Sequence, residues 1–508
     1  MPATINSVAV IGLNCHLIKV EGDVTLGLPK FFVVGLPDTA VQEARERVRS
    51  AIKNSDFLFP RTKVTVNLAP ADLKKIGPSF DLPIAVSLLA VKKQISLKPE
   101  DQDALFIGEL SLDGSLRAVN GVLSIAEALK AWGKKRLYLP EDNAPEANLI
   151  DGLEIFPVNN LAELADHLNG KKLLKQYIAP AKVKLASDLN ENLPELFLIR
   201  CQHHAKRALT IAAAGYHNLL FIGPPGSGKT MLAKALRGLL PPLNFNESLE
   251  VTKIYSLAGL LPPKQPLIIT RPFRSPHHTS SGVALVGGGS FPKPGEITLA
   301  HRGILFLDEL PEFPRAVLEN LRQPLEDGIV TVSRAATTVC FPAAFTLIAT
   351  ANPCPCGFLH DTENVCRCSE WQIKNYKKKL SGPLLDRIDL RVEVPRLKTE
   401  DLFTKQTVKT VGEDCRPKIK KAQEIQLIRL KPHGLMYNSQ MDNRLVEKFC
   451  ELTIASTTLL EQAVKTFGLS ARGYFKILKI ARTIADLEEA ENISEQHIAE
   501  ALQFRQNS

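Results

Sequence analysis

The sequence predicts an α/β protein with an amino-terminal α+β domain at 1–170, a linker at 171–196, a parallel-sheet core at 197–395 and a helical domain at 396–508. Three observations carry this. Short β-rich runs mixed with helical spacing fill the first part. From 197 to 395 helical and strand patterns alternate, as expected of a mostly parallel sheet with helices on both faces. After RVEVPRL the β signal disappears and helical periodicity takes over.

The elements follow in order. VAVIGL, FFVVGL, KVTVNLAP and RLYLP read as strands, and DTAVQEARERVRSAIKNS reads as a helix behind an Asp38/Thr39 start signal. The linker turns polar, carries two prolines and keeps no period. In the core, HHAKRALTIAAAG, GKTMLAKALRGLL and AVLENLRQPLED are helical, while HNLLFIG, GILFLDEL and TLIATANP are strands. SARGYFKILKIARTIADLEEA and SEQHIAEALQF are helices of the last domain.

Composition narrows the class. A length of 508 residues suits about three domains at roughly 150 residues each, and excludes a peptide or a disordered tail. Lys and Arg number 63 against 54 Asp and Glu, so the chain carries +9, which permits a polyanionic partner without requiring one. Nine cysteines are too few and too clustered for a secreted disulfide scaffold. No run approaches the roughly 18 apolar residues of a membrane span, and the start lacks a basic leader, so a cytoplasmic protein without membrane contact is expected.

Gly223, Pro224, Pro225, Gly226, Ser227, Gly228, Lys229 and Thr230 follow the strand HNLLFI and open a helix, the context of a phosphate-binding loop. Glycines let backbone N–H groups approach phosphates, the helix N-terminus favours negative charge, Lys229 reaches the β/γ oxygens and Thr230 ligates Mg²⁺. ATP and Mg²⁺ are the expected cofactors. GILFLDE is an apolar strand ending in Asp308 and Glu309, which places two acids at the end where ligands bind in parallel sheets. Asp308 is expected in the Mg²⁺ shell and Glu309 beside the attacking water. Asn352 ends the strand TLIATA and is placed to position that water. Arg387 and Arg472 follow in the order a ring-forming ATPase needs, Arg387 for a neighbouring subunit's γ-phosphate and Arg472 as a nucleotide sensor in the helical domain.

Cys354, Cys356, Cys366 and Cys368 form two C-x-C pairs, enough thiolates for one tetrahedral Zn²⁺, with two disulfides or free thiols as the alternatives. His277 and His278 lack a third ligand at useful spacing and read as fold or interface residues.

The phosphate loop, ILFLDEL, TANP, LLDRIDL and LSAR resemble the AAA+ ATPases. More specifically FRSPHHTSS, PGEITLAHRGILFLDELPEF, NPCPCG, SGPLLDRIDL and ARTIADL resemble the YifB/ComM family of Mg-chelatase-like ATPases over nearly the whole chain. One departure is Cys201-Gln202, where the family usually carries Gly-Gln. IGELSLDGSLRAVNGVLSIAEAL and KKIGPSFDLPIAVSLL resemble the proteolytic domain of Lon, whose nucleophile matches Ser79. Lon's lysine base falls on Leu123, and a leucine cannot deprotonate serine, so the resemblance implies a Lon-protease-like α+β scaffold without proteolysis.

The family resemblance thus implies an AAA+ P-loop core with a helical lid, structural zinc, and a homohexameric, ATP-driven helicase. This motor would promote branch migration of recombination intermediates during natural transformation, alongside recombination proteins. Single-stranded and branched DNA are the expected partners, met by Lys293 in VGGGSFPKPGE and by Arg334 in a hairpin over DGIVTVSRAATTV. The alternative is a chelatase-like ATPase that remodels a protein or metal-insertion complex.

Overall fold

Apolar residues in the first 70 positions build a sheet that packs cores on both faces, Ile5 and Ala9 on one and Val8 on the other, as seen in a computed structural model describing residues 2–178, 199, 201–262, 265–289, 292–334, 337–359, 361, 363–396 and 411–505. The chain forms two units, one from 1–185 with 245–268 and the other from 186–244 with 269–508. Most of the expected linker lies outside the described residues.

In the first unit β1 (Ala3–Ile11) turns tightly into β2 (Asn14–Thr25), with Ile11 opposite Asn14. The other strands are β3 (Lys30–Val34), β4 (Lys63–Ala69), β5 (Leu105–Phe106), β6 (Glu109–Leu110), β7 (Leu116–Arg117), β8 (Arg136–Pro140) and β9 (Glu154–Val158). Seven of them form a mixed sheet in the order β3-β4-β2-β1-β5-β8-β9. The expected helix runs Thr39–Asn54, and Asp38 caps it by accepting the Val41 N–H at 2.8 Å. Helix Asp81–Val91 is apolar around its whole circumference and accordingly buried. Ser79 sits on the short turn Pro78–Phe80, and Leu123 is fully buried.

Helix Phe245–Ala258 belongs to this unit, although the sequence places it between two pieces of the other. The joint is polar and buried. Gly121 N–H donates to Ser256 Oγ at 3.0 Å, Leu123 N–H donates to Glu146 Oε1 at 2.8 Å, and the Ser256 hydroxyl closes onto that same Glu146 oxygen. The two N–H groups open helix Val122–Ala131, where intrahelical acceptors are missing, so the joint satisfies them. Lys253 pairs with Glu127 on the same helix.

The second unit contains β10 (Leu219–Ile222), β11 (Phe273–Arg274), β12 (Gly287–Gly288), β13 (Lys293–Pro294), β14 (Ile304–Leu307), β15 (Ile329–Arg334), β16 (Thr337–Pro342), β17 (Thr346–Ala351) and β18 (Leu390–Glu393). Five strands form an all-parallel sheet in the order β11-β14-β17-β10-β18. Both β14 and β17 are buried at every residue, as strands covered on both faces must be. AVLENLRQPLED reads as one helix but forms two, Arg315–Glu319 and Arg322–Asp327. Pro324 is the cause: inside a continuous helix it would lack an N–H and strike the carbonyl of residue 320, whereas in a first turn it is tolerated.

The carboxy-terminal helices Val411–Leu430, Asn443–Phe449, Ile454–Phe467, Ala471–Leu487 and Glu495–Gln503 share one core with the sheet, in which Ile477 and Ile484 are buried along with Phe221 and Ile348. Asp486 fixes them. Its fully buried carboxylate accepts from Arg429 at 2.5 and 3.1 Å, from Asn438 at 2.8 Å and from Arg482 at 3.1 Å. Removing it strands two cations in the interior, so Asp486→Ala is expected to destabilise this unit by about 3–5 kcal/mol, read as an earlier urea transition in circular dichroism.

Candidate functional site

Parallel strands deliver their following loops to one edge, and here those loops carry the chemistry. After β10, Gly223 passes so close to Val394 that a Cβ on it would lie 2.1 Å from the Val394 carbonyl oxygen. Pro224, Pro225, Gly226 and Ser227 continue the loop, and Gly228, at φ 88°, starts helix Lys229–Leu239. A left-handed φ favours glycine, and no atom lies within 4 Å of the space over it.

Lys229 Nζ donates to the Gly223 carbonyl at 2.7 Å, the Pro224 carbonyl at 2.8 Å and Asn352 Oδ1 at 3.3 Å. Burial pulls its ammonium pKa down, against the opposing pull of Asp308 and Glu309. Asp308 follows β14; its Oδ2 accepts from Thr230 Oγ1 at 3.2 Å, and its Oδ1 accepts from the Thr350 hydroxyl in a close contact. Glu309 takes φ 54° and its N–H donates to Thr350 Oγ1 at 2.9 Å. Ser227 Oγ is buried without a partner among the described residues. An orphan hydroxyl, a buried ammonium and a Thr–Asp pair at a helix N-terminus are the donor set that phosphate oxygens and a divalent cation require.

The two arginines stand elsewhere. Arg387 Nη2 lies 2.5 Å and Arg472 Nη2 3.2 Å from the same oxygen, Glu326 Oε1. One turn beyond Arg472, Lys476 Nζ lies 2.6 Å from Asp389 Oδ1, riveting its helix to the start of β18. Asp389 also accepts the Asn218 N–H at 2.9 Å and faces His217 at 3.5 Å.

The four clustered cysteines converge. Their sulfurs all lie within 4.8 Å of one another, with contacts of 3.4, 3.6 and 3.7 Å among Cys354, Cys356 and Cys366. Every cysteine is a free thiol, and these spacings far exceed a disulfide bond of roughly 2.0 Å. They suit the edge of a Zn–S tetrahedron with bonds of about 2.3 Å, which is about 3.8 Å. Backbone N–H groups of Phe358 and Arg367 hold the Cys356 thiol down to about 6, while burial pushes Cys354 up to about 12. Gly357 between the pairs abuts the phosphate loop: a Cβ there would lie 2.6 Å from Pro225 Cδ.

Lys293 is exposed on β13, in a two-residue ladder with β12. Arg334 ends β15 of the β15–β16 hairpin, and its side chain lies outside the described residues. The His277 and His278 rings lie 4.1 Å apart, tilted by 34°, and His277 bonds Thr279 at 2.8 Å.

Residues 195–402 match the family described as magnesium chelatase, subunit ChlI; 20–143 match subunit ChlI of Mg-chelatase, and 410–505 its C-terminal part. The chain is 44% identical to competence protein ComM of Haemophilus influenzae over 99% of this chain and 97% of that protein. It belongs to the YifB/ComM family of Mg-chelatase-like AAA+ ATPases. It is also 43% identical to the uncharacterized protein YifB of Salmonella typhimurium, over 99% of this chain and 97% of that one. An archaeal Lon protease of Methanocaldococcus jannaschii is 25% identical over 29% of this chain and 22% of its own.

Cys201 and Gln202 take φ 51° and 50°, a left-handed region that costs a side-chain-bearing residue roughly 1 kcal/mol or more and that glycine would enter freely. Gln202 is held there by its amide, which donates to the Pro395 carbonyl at 2.7 Å. Thr350, Glu326, Asp389 and Lys476 were not signalled by sequence. Each lies inside a stretch with a readable pattern, Thr350 two residues before Asn352 on a strand end and Asp389 two residues after Arg387, but nothing in the pattern marked its role.

Burial would raise the Asp389 carboxyl pKa, but Lys476 and His217 outweigh it and hold the group well below the usual carboxylate range. The same burial pulls Lys476 down, which offsets part of the gain. A depressed carboxyl stabilises the fold above its unfolded value of about 3.9, and that stability is lost as pH falls through the folded value. Asp389→Asn is therefore expected to cost about 3 kcal/mol at neutral pH, with the deficit shrinking below about pH 4 in chemical-unfolding curves.

Proposed function

We propose that this AAA+ protein is a homohexameric ATP-driven DNA motor that promotes branch migration of recombination intermediates and supports integration of DNA in natural transformation. The observation carrying this is the bonded constellation of Lys229, Thr230, Asp308 and Asn352, in a chain alike along its whole length to a competence protein. Loop N–H groups such as those of Gly226 and Gly228 would cradle the phosphates, Lys229 would take the β/γ oxygens, and Thr230 and Asp308 would hold Mg²⁺, which offsets phosphate charge when bound. Glu309 orients and polarises the attacking water, and Asn352 positions it. Arg387 meets the γ-phosphate of a neighbouring copy, and Arg472 reports nucleotide from the helical lid.

Lys293 and Arg334 contact single-stranded or branched DNA through its phosphates, and recombination proteins act beside the ring. A ring multiplies each cation, concentrating positive potential that the average charge conceals. Among the described residues no helix is long and apolar enough to cross a membrane, in keeping with work in the cytoplasm.

Lys229→Ala and Glu309→Gln should each reduce DNA-stimulated ATP turnover by about 100-fold or more, measured as phosphate release with and without forked DNA. Equal turnover with and without DNA, at concentrations that allow rings, would falsify the motor reading. The three chelatase-type matches favour a second reading, an ATPase that remodels a protein or metal-insertion complex. Stimulation by unfolded protein in place of DNA would select it.

The cysteine cluster is assigned to structural Zn²⁺, bracing the phosphate loop through Gly357 against Pro225. Elemental analysis of purified protein should find zinc near one atom per chain, and a Cys354→Ser/Cys356→Ser variant should lose both the metal and tight nucleotide binding. A parent protein without stoichiometric zinc ends that assignment.

A further inference from the structure

Arg387 and Arg472 come from elements far apart in sequence, one from the loop before β18 and the other from the first turn of Ala471–Leu487, yet both reach one carboxylate oxygen. We infer that Glu326 is an internal stand-in for phosphate, which holds both arginines in the resting chain until nucleotide bound by a neighbouring copy takes its place. This rests on the proposed role of Arg387 in trans.

The chemistry fits a holding contact made to be released. Arg387 meets Glu326 through Nη2 alone, whereas a guanidinium binds a carboxylate most strongly by a two-bond fork. Its Nη1 donates to the Pro383 carbonyl at 2.7 Å, and its Nε is buried without an acceptor. The donor set is therefore incompletely used in this pose, and a buried N–H left unpaired disfavours it. The Arg387 side chain is 11% exposed, but those of Glu326 and Arg472 are 43% and 61% exposed, so an incoming anion can approach the shared oxygen from solvent. Lys476 also acts on Glu326 electrostatically, but its ammonium is engaged by Asp389 at 2.6 Å. The Arg387 hydrogen bond holds the Glu326 carboxyl below its ordinary value, so the contact is ionic at neutral pH.

A half-exposed pair of this kind is weak, so its removal should change the readiness of the arginines by about two- to five-fold. In full-length protein with forked DNA, Glu326→Gln should lower the protein concentration that gives half-maximal ATP turnover by about that factor without lowering the maximal rate. The gain should vanish in a Glu326→Gln/Arg387→Ala double variant. A merely structural glutamate would give no gain. If Glu326→Gln melts early, Glu326→Asp, which keeps the charge but is one methylene too short to hold both arginines, carries the same expectation. An unchanged or raised half-maximal protein concentration, or a lowered maximal rate, in a well-folded Glu326 variant overturns the inference. Arg387→Ala separates the two levels: if it turns over ATP like the parent, the trans role itself is wrong. If it is inactive while Glu326→Gln brings no gain, only the stand-in role of Glu326 fails.

Discussion

A buried ammonium group with no anion in contact among the described residues organises the ATPase unit. Lys229 Nζ is surrounded by two loop carbonyls and the Asn352 amide oxygen, so dipoles from the ends of β10 and β17 replace its lost hydration. This fixes the distance between those two strand ends, and β17 in turn sets Asp308 through Thr350. The loop conformation, the carboxylate at the end of β14 and the asparagine at the end of β17 are thus one bonded object. An incoming phosphate meets a charge already desolvated, and the electrostatic interaction between them is correspondingly strong.

A second bonded object stands on another part of the same unit. Asp389 and Lys476 pin the helix that carries Arg472 beside the strand that follows Arg387. The two arginines are consequently neighbours at one carboxylate oxygen although they come from different elements. The phosphate loop and the arginine pair each bond among their own members, in two separate clusters.

What sequence could reveal follows from the range of each interaction. The phosphate loop, Asp308–Glu309 and Asn352 were legible because each is a strand followed by a local signature, and capping residues such as Asp38 act within a few positions of themselves. The cysteines were legible as a count; their convergence, and the choice against disulfides, needed coordinates. Glu326 was invisible because its meaning lies in two partners 61 and 146 positions away, at Arg387 and Arg472. The split at Pro324 was local and could have been read from proline's missing N–H, but the apolar period across AVLENLRQPLED masked it. No periodicity announces that Ser256 completes the opening of a helix begun at Val122.

That last joint bears on how such a protein can be inherited. A domain that ends where its sequence ends can be exchanged between genes by one crossover on each side. The amino-terminal unit here is written in two places, 1–185 and 245–268, with phosphate-loop sequence between them. A single recombination event after residue 185 would supply a foreign partner for Ser256 and Lys253, separating them from Glu146 and Glu127. The two stretches must therefore travel and vary together, so the amino-terminal scaffold is tied to its own ATPase by heredity as well as by the peptide bond.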